Sequence, residues 1–154
     1  VSLGSCVGKC VGTGMVVGTA TFMAPEQIVG DAIDARTDIY GLGIVAFCML
    51  TGERPFSAHK RADVLAHQVL STAPPPSWLN ADVGAHWDNI VQRLLRKNPA
   101  ERHPNALAVR SDCRCLGAGQ PPAPFDLSAE DVYPPVSERA REMVAALRAH
   151  LHGT

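Results

Sequence analysis

The sequence predicts a mainly α-helical fold, because apolar residues recur at helical spacing in several segments that prolines and glycines separate. With 154 residues, of which 46% are hydrophobic, the chain is long enough to bury a core. No internal repeat is visible along it. We therefore expect a bundle of helices preceded by a loop.

The first half of the chain is predicted to hold a loop and two helices. Residues 1–22 contain five glycines that break any regular period, which indicates a loop or a weak extended segment. A short helix is predicted from Pro25, because proline is tolerated at the first helical position. The stretch from Asp34 to Asp38 supplies polar start signals for the next helix, which ends at Gly52. Since this helix is apolar nearly all round, other elements must cover most of its sides.

Three more helices are predicted at residues 60–70, 85–98 and 104–116, the last with Leu107 and Val109 facing inward. Residues 117–136 contain five prolines and are predicted to form a linker. Residues 137–154 are predicted to form a separate C-terminal helix. Its apolar stripe consists of Met143, Val144, Leu147 and Leu151.

Composition bears on the partners and the cellular location that we expect for the protein. The formal net charge of -1 gives no electrostatic reason to expect a nucleic acid or an anionic membrane surface as a partner. Five cysteines without a signal peptide favour a reducing compartment, so we expect a cytoplasmic protein. The most apolar stretch, residues 39–50, is shorter than the roughly 20 residues of a membrane helix. No membrane segment is expected in this chain, although a longer parent could be membrane-anchored.

Four motifs, in order, resemble the protein kinase family. Residues 18–26 (Gly-Thr-Ala-Thr-Phe-Met-Ala-Pro-Glu) resemble the end of the kinase activation segment, including its Ala-Pro-Glu signature. Residues 38–43 resemble the start of the family's central helix, and residues 49–56 resemble the turn after it. Residues 98–102 (Asn-Pro-Ala-Glu-Arg) resemble the segment that holds the family's late arginine. The resemblance covers about residues 10–116 and is strongest to bacterial Ser/Thr kinases of the eukaryotic type.

The resemblance implies the helical large lobe (the C-lobe) of the protein kinase fold, at residues 18–116, with residues 1–17 as a mobile part of the activation segment. It also implies a structural role for Pro25 of the Ala-Pro-Glu signature, and an interior ion pair between Glu26 and Arg102. In the family the matching aspartate holds the backbone of the catalytic loop, which is absent here, so the resemblance implies that Asp38 is a buried carboxylate deprived of its partner. From the residues alone, a simple helix cap at Asp38 remains open.

Substrate contacts are implied at three positions and a modification at a fourth. Gly18 and Thr19 match the segment that lines the acceptor hydroxyl in Ser/Thr kinases. Cys48 stands where many relatives carry an acidic residue, so the resemblance places it near the protein substrate without that charge. Thr13 lies where bacterial relatives often carry an activating phosphothreonine, and an unmodified loop threonine is the other interpretation.

The residues that perform phosphoryl transfer are missing from the sequence. That reaction needs a lysine on the phosphates, ligands for Mg²⁺ and an aspartate at the acceptor hydroxyl. The corresponding motifs (a Gly-rich loop, Val-Ala-Ile-Lys, His-Arg-Asp and Asp-Phe-Gly) do not occur among the 154 residues. We therefore expect no catalytic residue, cofactor or metal in this chain, and no activity from it alone. ATP and Mg²⁺ would bind in the intact parent.

Three functional hypotheses remain open at this stage. The first is the C-lobe of a Ser/Thr kinase, whose partners are a protein substrate, the N-lobe and the catalytic loop. The second is a catalytically inactive, kinase-derived protein-binding module. The third is a zinc-stabilised module that uses Cys6, Cys10, Cys113 and Cys115, whose spacing is not the usual paired pattern. Because the apolar helix at 39–50 lacks cover, self-association through exposed apolar surface is also expected.

Overall fold

The computed structural model describes residues 20–120 and Glu142, which is helical. No strand occurs within these residues, so the prediction of a mainly α-helical fold is confirmed. The five helices are α1 (Pro25–Val29), α2 (Ala35–Thr51), α3 (Arg61–Leu70), α4 (Ala85–Leu94) and α5 (Ala106–Gly117). Three-residue 3₁₀ helices lie at Ala20–Phe22, Pro76–Trp78 and Pro99–Glu101.

Helix α2 begins and ends at the residues whose chemistry suits a helix terminus. The Asp34 carboxylate accepts a hydrogen bond from the backbone N–H of Arg36 at 2.7 Å, and so satisfies one of the free donors of the first turn. At the other end Gly52 adopts a left-handed conformation, with φ of 74°, and its N–H donates to the Cys48 carbonyl. Glycine adopts this conformation without steric cost, which explains why the helix ends there.

The core is built around α2. One buried cluster joins α2 to the residue before α1, to the segments that flank α3 and to α4. A second cluster joins α2 to α4 and α5. The first cluster consists of Ala24, Tyr40, Ile44, Phe47, Phe56, Ala73, Val91 and Leu95. The second consists of Ile39, Ile90, Leu94 and Val109, with Trp87, Cys113 and Leu116 packed against it.

Other elements cover α2 on most sides, but one side remains open among the described residues. Leu42 and Val45 are each 42% exposed and Met49 is 81% exposed. These three residues, called the α2 stripe below, recur at intervals of three and four and therefore lie on one face of the helix. The stripe is an apolar surface on the central helix of the fold.

Helices α2 and α4 approach each other closely at Gly43. A Cβ atom built on Gly43 would lie 2.8 Å from the Leu94 Cβ and 2.9 Å from the Leu95 Cδ2. Such distances are shorter than van der Waals contact, so a side chain at this position would push the two helices apart. Gly43 therefore fixes the spacing of the two helices that form the centre of the core.

We expect Gly43→Ala to lower the free energy of unfolding by about 1–2 kcal/mol, because overpacking outweighs the helix propensity that alanine gains. Gly41→Ala, two residues earlier on α2, is the matched control, since nothing lies within 4 Å of its added Cβ. That variant should gain up to about 1 kcal/mol. Urea unfolding of both variants checks the pair, and a loss of stability in both would show that α2 tolerates no alanine for another reason.

Two details of the helices were predicted incorrectly. Leu107 is 64% exposed, whereas Val109 is buried. Residues two apart on a helix lie about 200° apart, so Leu107 and Val109 cannot both face the core.

Helix α4 ends at Leu94 rather than near residue 98. Beyond the helix end, the carbonyls of Arg96 and Lys97 accept hydrogen bonds from Arg102. The predicted helix at 137–154 and the loop at 1–17 lie outside the described residues, except for Glu142.

Candidate functional site: the anchored segment before helix α1

A buried ion pair joins α1 to the segment after α4. The Arg102 guanidinium donates two parallel hydrogen bonds to the Glu26 carboxylate, from Nη1 at 2.7 Å and from Nη2 at 2.8 Å. The two side chains are 0% and 4% exposed. Bidentate geometry of this kind is the strongest form of carboxylate–guanidinium pairing. The sequence thus brings together two residues that are 76 positions apart.

Arg102 satisfies its whole hydrogen-bonding capacity. Its other donors reach the carbonyls of Arg96 at 2.7 Å, Arg36 at 2.8 Å and Lys97 at 3.0 Å. With the two bonds to Glu26, all five N–H donors of the guanidinium are used. The guanidinium also lies 4.8 Å from the centroid of the Tyr40 ring. One side chain therefore fastens α1, the start of α2 and the loop after α4 to each other.

The charge of Glu26 is maintained by its partners. Burial by itself raises the pKa of this carboxyl, but the hydrogen bonds and the charge of Arg102 outweigh burial and hold the pKa below its usual value. The Thr37 hydroxyl adds a further hydrogen bond at 2.8 Å. Glu26 is accordingly ionised at neutral pH in spite of its position in the interior.

A second buried network fixes the short 3₁₀ helix Ala20–Phe22 that precedes α1. The Gln68 side chain, on α3, donates through Nε2 to the Thr21 carbonyl and accepts through Oε1 from the Tyr40 hydroxyl, each at 2.5 Å. Both Gln68 and Tyr40 are fully buried. Lys97 completes the network, since its Nζ donates to the Gln68 carbonyl at 2.7 Å and to the Tyr40 hydroxyl at 3.2 Å. This network holds the backbone of Thr21 against α2 and α3.

The ammonium group of Lys97 occupies an aromatic setting. It lies 4.2 Å from the centroid of the Phe56 ring and 5.5 Å from that of Tyr40, within the range of cation–π attraction. Burial, followed by the nearby charge of Arg102, lowers the pKa of Lys97. Burial also raises the pKa of the Tyr40 hydroxyl, which therefore remains a hydrogen-bond donor. Neither the Tyr40 nor the Lys97 side chain therefore carries a negative charge at neutral pH.

Packing reinforces these hydrogen bonds along Ala20–Phe22. Ala20 is 2% exposed and packs against Leu65 of α3, with Met23 and Ile28 around them. The Ala24 N–H donates to the Gln27 side chain at 2.9 Å, which closes the first turn of α1. Gly18 and Thr19, which immediately precede this anchored stretch, lie outside the described residues, as does Thr13. The structure therefore fixes the residues that directly follow Gly18 and Thr19 in the sequence.

The remaining candidate residues lie on α1 and α2. Pro25 is the first residue of α1 and is buried. Asp38 is exposed, so its expected burial is wrong; the helix cap is Asp34, and no described element lies over the Asp38 side of α2. Cys48 is half-buried against the core cluster around Phe47. Burial raises the pKa of its thiol, and the nearby charge of Arg54 acts in the opposite direction.

A buried histidine–carboxylate pair closes the end of the domain near α5. His103 is fully buried, and its Nε2 lies 3.0 Å from the Asp112 carboxylate, which also lies 3.9 Å from Arg93. Burial lowers the pKa of His103. The hydrogen bond that its ring donates to Asp112 raises the pKa and the charge of Arg93 lowers it, so that the pKa falls below its ordinary value. His103 is therefore neutral in the folded protein at neutral pH.

This lowered pKa predicts acid sensitivity. The unfolded chain takes up a proton at about pH 6.5, above the pH at which the folded chain does, so stability falls as the pH drops through that value. We expect the free energy of unfolding to decrease between about pH 7.5 and about pH 5.5, and His103→Gln to flatten that dependence. His86→Gln, at an exposed position, is the control and should retain the slope. An unchanged slope in His103→Gln would assign the acid sensitivity to other groups.

No group of three or more His, Cys, Asp or Glu side chains within residues 20–120 is arranged to bind a metal ion. Cys113 packs against the core cluster of α2, α4 and α5, whereas Cys115, two residues on, lies on the opposite face of α5. The two thiols therefore do not converge as the zinc hypothesis requires; Cys6 and Cys10 lie outside the described residues. None of the helices described is long and apolar enough to cross a membrane.

The comparisons with known proteins agree with the motifs. Residues 4–112 match the protein kinase domain family, and the chain therefore belongs to that family. Its Ser/Thr protein kinase PknB relative from Mycobacterium leprae is 39% identical over 120 residues, which make up 77% of this chain and 19% of that protein. Ser/Thr protein kinase PksC from Streptomyces coelicolor is 40% identical over 112 residues, 73% of this chain and 20% of that protein. The predicted resemblance to bacterial Ser/Thr kinases is thus confirmed.

The fold is also similar to that of a solved protein kinase structure. The twitchin kinase region from C. elegans superposes with a TM-score of 0.55 at 18% identity, over 88% of this chain and 22% of that chain. The chain thus spans about a fifth of the length of the relatives that it matches. The motifs that supply the lysine, the magnesium ligands and the catalytic aspartate of phosphoryl transfer do not occur among the 154 residues.

Several residues of the site carry no signal in the sequence. Gln68 reads as an ordinary polar residue of a surface helix, yet it is buried and reaches Thr21, 47 positions away. Lys97 and Tyr40 likewise gain their roles from contacts between distant segments. Buried polar groups need hydrogen-bond partners. That rule could have pointed to these residues only if their burial had been known, and the sequence does not show it.

Proposed function

We propose that this chain is the part of a Ser/Thr protein kinase that seats the protein substrate and supports the catalytic loop. In the intact parent, the reaction would transfer a phosphoryl group from ATP to a Ser or Thr hydroxyl. The observation that carries the proposal is the face of α2 that contains Asp38 and the α2 stripe. An apolar, carboxylate-headed face on the central helix of a fold is suited to packing against further protein.

The face has the pattern that such support needs. Asp38, Leu42, Val45 and Met49 follow one another at intervals of four, three and four, and all four are exposed. The apolar residues supply buried area when a neighbouring element covers them. The Asp38 carboxylate, at the start of the face, can accept hydrogen bonds from backbone N–H groups of a loop. We assign the catalytic loop of the kinase as the structure that it holds.

The substrate side is supported by the anchored segment. The Gln68 network and the Leu65 contact hold Ala20 and Thr21, so the two residues before them extend from a rigid base. Rigid support is what a binding site needs to present groups in a fixed orientation. We propose that Gly18 and Thr19 line the acceptor hydroxyl, and that Cys48 lies on the path of the substrate chain.

Regulation and setting follow the same proposal. Phosphorylation of Thr13 would add about two negative charges to the glycine-rich stretch and would order it by pairing with an arginine. Glu26 and Arg102, with Pro25, would keep the lobe intact around these changes rather than take part in the chemistry. The cytoplasm, where ATP is present, is the proposed location.

Phosphoryl transfer by the protein of the complete reading frame tests this proposal. We expect that protein to transfer phosphate from labelled ATP to Ser- and Thr-containing peptides, and the 154-residue chain alone to transfer none. Asp38→Asn in the longer protein should lower activity strongly, whereas His86→Gln, at an exposed position away from α2, should not. A longer protein that folds but neither binds ATP nor transfers phosphate would overturn the proposal and favour a kinase-derived binding module.

A further inference from the structure

Helix α5 presents an outer face with a mixed basic and apolar character. This α5 outer face consists of Leu107, Arg110, Ser111, Arg114, Cys115 and Ala118, and with Gln120 it surrounds a shallow space of about 370 Å³. The six residues recur at intervals of three and one, which places them on one side of the helix. The other side of α5, with Val109 and Cys113, packs into the core.

The chemistry of the face selects an acidic and apolar ligand. Arg110 and Arg114 are exposed, one turn apart, and neither forms an ion pair with a carboxylate of residues 20–120. The lining contains no Asp or Glu. Leu107, 64% exposed, adds an apolar group at the start of the face. A peptide that carries both carboxylates and a large apolar side chain would complement all three residues.

The path of the chain after α5 leads onto this face. Gly119 has a left-handed φ of 71°, the Gln120 N–H donates to the Cys115 carbonyl at 2.8 Å, and the Gly119 N–H donates to the Leu116 carbonyl at 3.0 Å. These two bonds form a Schellman motif, in which the chain turns out of the helix. Gln120 therefore lies beside Cys115 and lines the face, instead of continuing beyond the helix end.

The residues that follow have the complementary composition. Residues 121–131 read Pro-Pro-Ala-Pro-Phe-Asp-Leu-Ser-Ala-Glu-Asp and contain three carboxylates but no Lys or Arg. The face extends about 12 Å from the level of Cys115 to Leu107, at 1.5 Å per helical residue. From Gln120 to Phe125 an extended, proline-rich chain spans about 15 Å. The acidic residue Asp126 and its apolar neighbours can thus reach the length of the face.

We propose that residues 121–131, which lie outside the described part of the chain, dock on the α5 outer face of the same molecule. Phe125 and Leu127 would cover Leu107, and the carboxylates would pair with Arg110 and Arg114. Because the segment is tethered directly to the face, its effective concentration is in the millimolar range, and individually weak contacts suffice. The proposal is independent of kinase activity, and it fixes the direction in which the C-terminal residues leave the domain.

The native thiol of Cys115 reports whether the face is covered. We would measure its rate of alkylation by iodoacetamide, residue by residue, in the full 154-residue chain. Arg110→Glu with Arg114→Glu should raise the rate about two- to tenfold, a range set by the modest strength of exposed ion pairs. This increase is diagnostic, because the added negative charge by itself slows thiolate formation. Cys113, on the core side of α5, is the internal control and should not change.

Substitution of the acidic residues in the segment 121–131 provides the second part of the experiment. Asp126→Lys, Glu130→Lys and Asp131→Lys together should also raise the rate, and the combination of all five substitutions should return it towards that of the unsubstituted chain. Equal rates in every variant would overturn the proposal and leave the face open to another molecule. A rate that falls as the protein concentration rises would place the segment on a second copy and would also overturn it. Thermal melting of each variant excludes unfolding as the cause.

Discussion

Replacing Arg102 with alanine is expected to remove about 3–5 kcal/mol from the free energy of unfolding, because it leaves the Glu26 carboxylate buried without its partner. A small domain has only about 5–15 kcal/mol to lose, so much of the variant should be unfolded near 37 °C. The carbonyls of Arg36, Arg96 and Lys97 lose their donor at the same time. Urea unfolding followed by circular dichroism measures the change.

The matched control is the exposed pair on the same part of the fold. Arg36 pairs with Asp34 at 2.6 Å, at the surface, where solvent screens the charges, so Arg36→Ala should change stability little. The pH dependence gives a second check on Arg102→Ala. With Arg102 gone, burial alone raises the pKa of Glu26 above its unfolded value, so the variant should regain stability as the pH is lowered through that range. Similar losses in Arg102→Ala and Arg36→Ala, at all pH values, would contradict the assignment.

Replacing Phe47 with alanine is the second large effect, an expected loss of about 3–5 kcal/mol. Phe47 is completely buried in the cluster around α2, and its removal leaves a cavity that the rigid surroundings fill only in part. Met49, two residues later on the same helix, is 81% exposed and serves as the control. Met49→Ala should change the free energy of unfolding by less than about 0.5 kcal/mol. A loss comparable with that of Phe47→Ala would show that the α2 stripe is already covered in the isolated chain.

The sequence allowed the helices and the family to be predicted, because their signals are local. The polar start and the Gly52 stop of α2 act within one turn, and the Ala-Pro-Glu signature stands in consecutive residues. The prediction that Leu107 and Val109 both face inward is wrong, because two residues that are two positions apart lie on opposite sides of a helix. A stricter use of the same period would have separated them.

The buried networks could not be predicted in the same way. Gln68 contacts Tyr40 and Thr21 across 28 and 47 positions, and only the packing of α3 against α2 brings them together. Likewise, the exposure of Asp38 depends on which elements pack against α2 and not on its own helix. Pairings over such distances reflect tertiary packing, which leaves no pattern in the neighbouring sequence.

Sequencing the coding region immediately upstream of Val1, in the same frame, decides whether this fold is part of a working kinase. We expect the region to encode a Gly-rich loop, a lysine in a Val-Ala-Ile-Lys-like strand, His-Arg-Asp and Asp-Phe-Gly, in that order, so that the α2 stripe and Asp38 have the lobe and the loop to support. An in-frame stop codon, or a sequence unrelated to these motifs, would contradict the claim that this fold serves phosphoryl transfer.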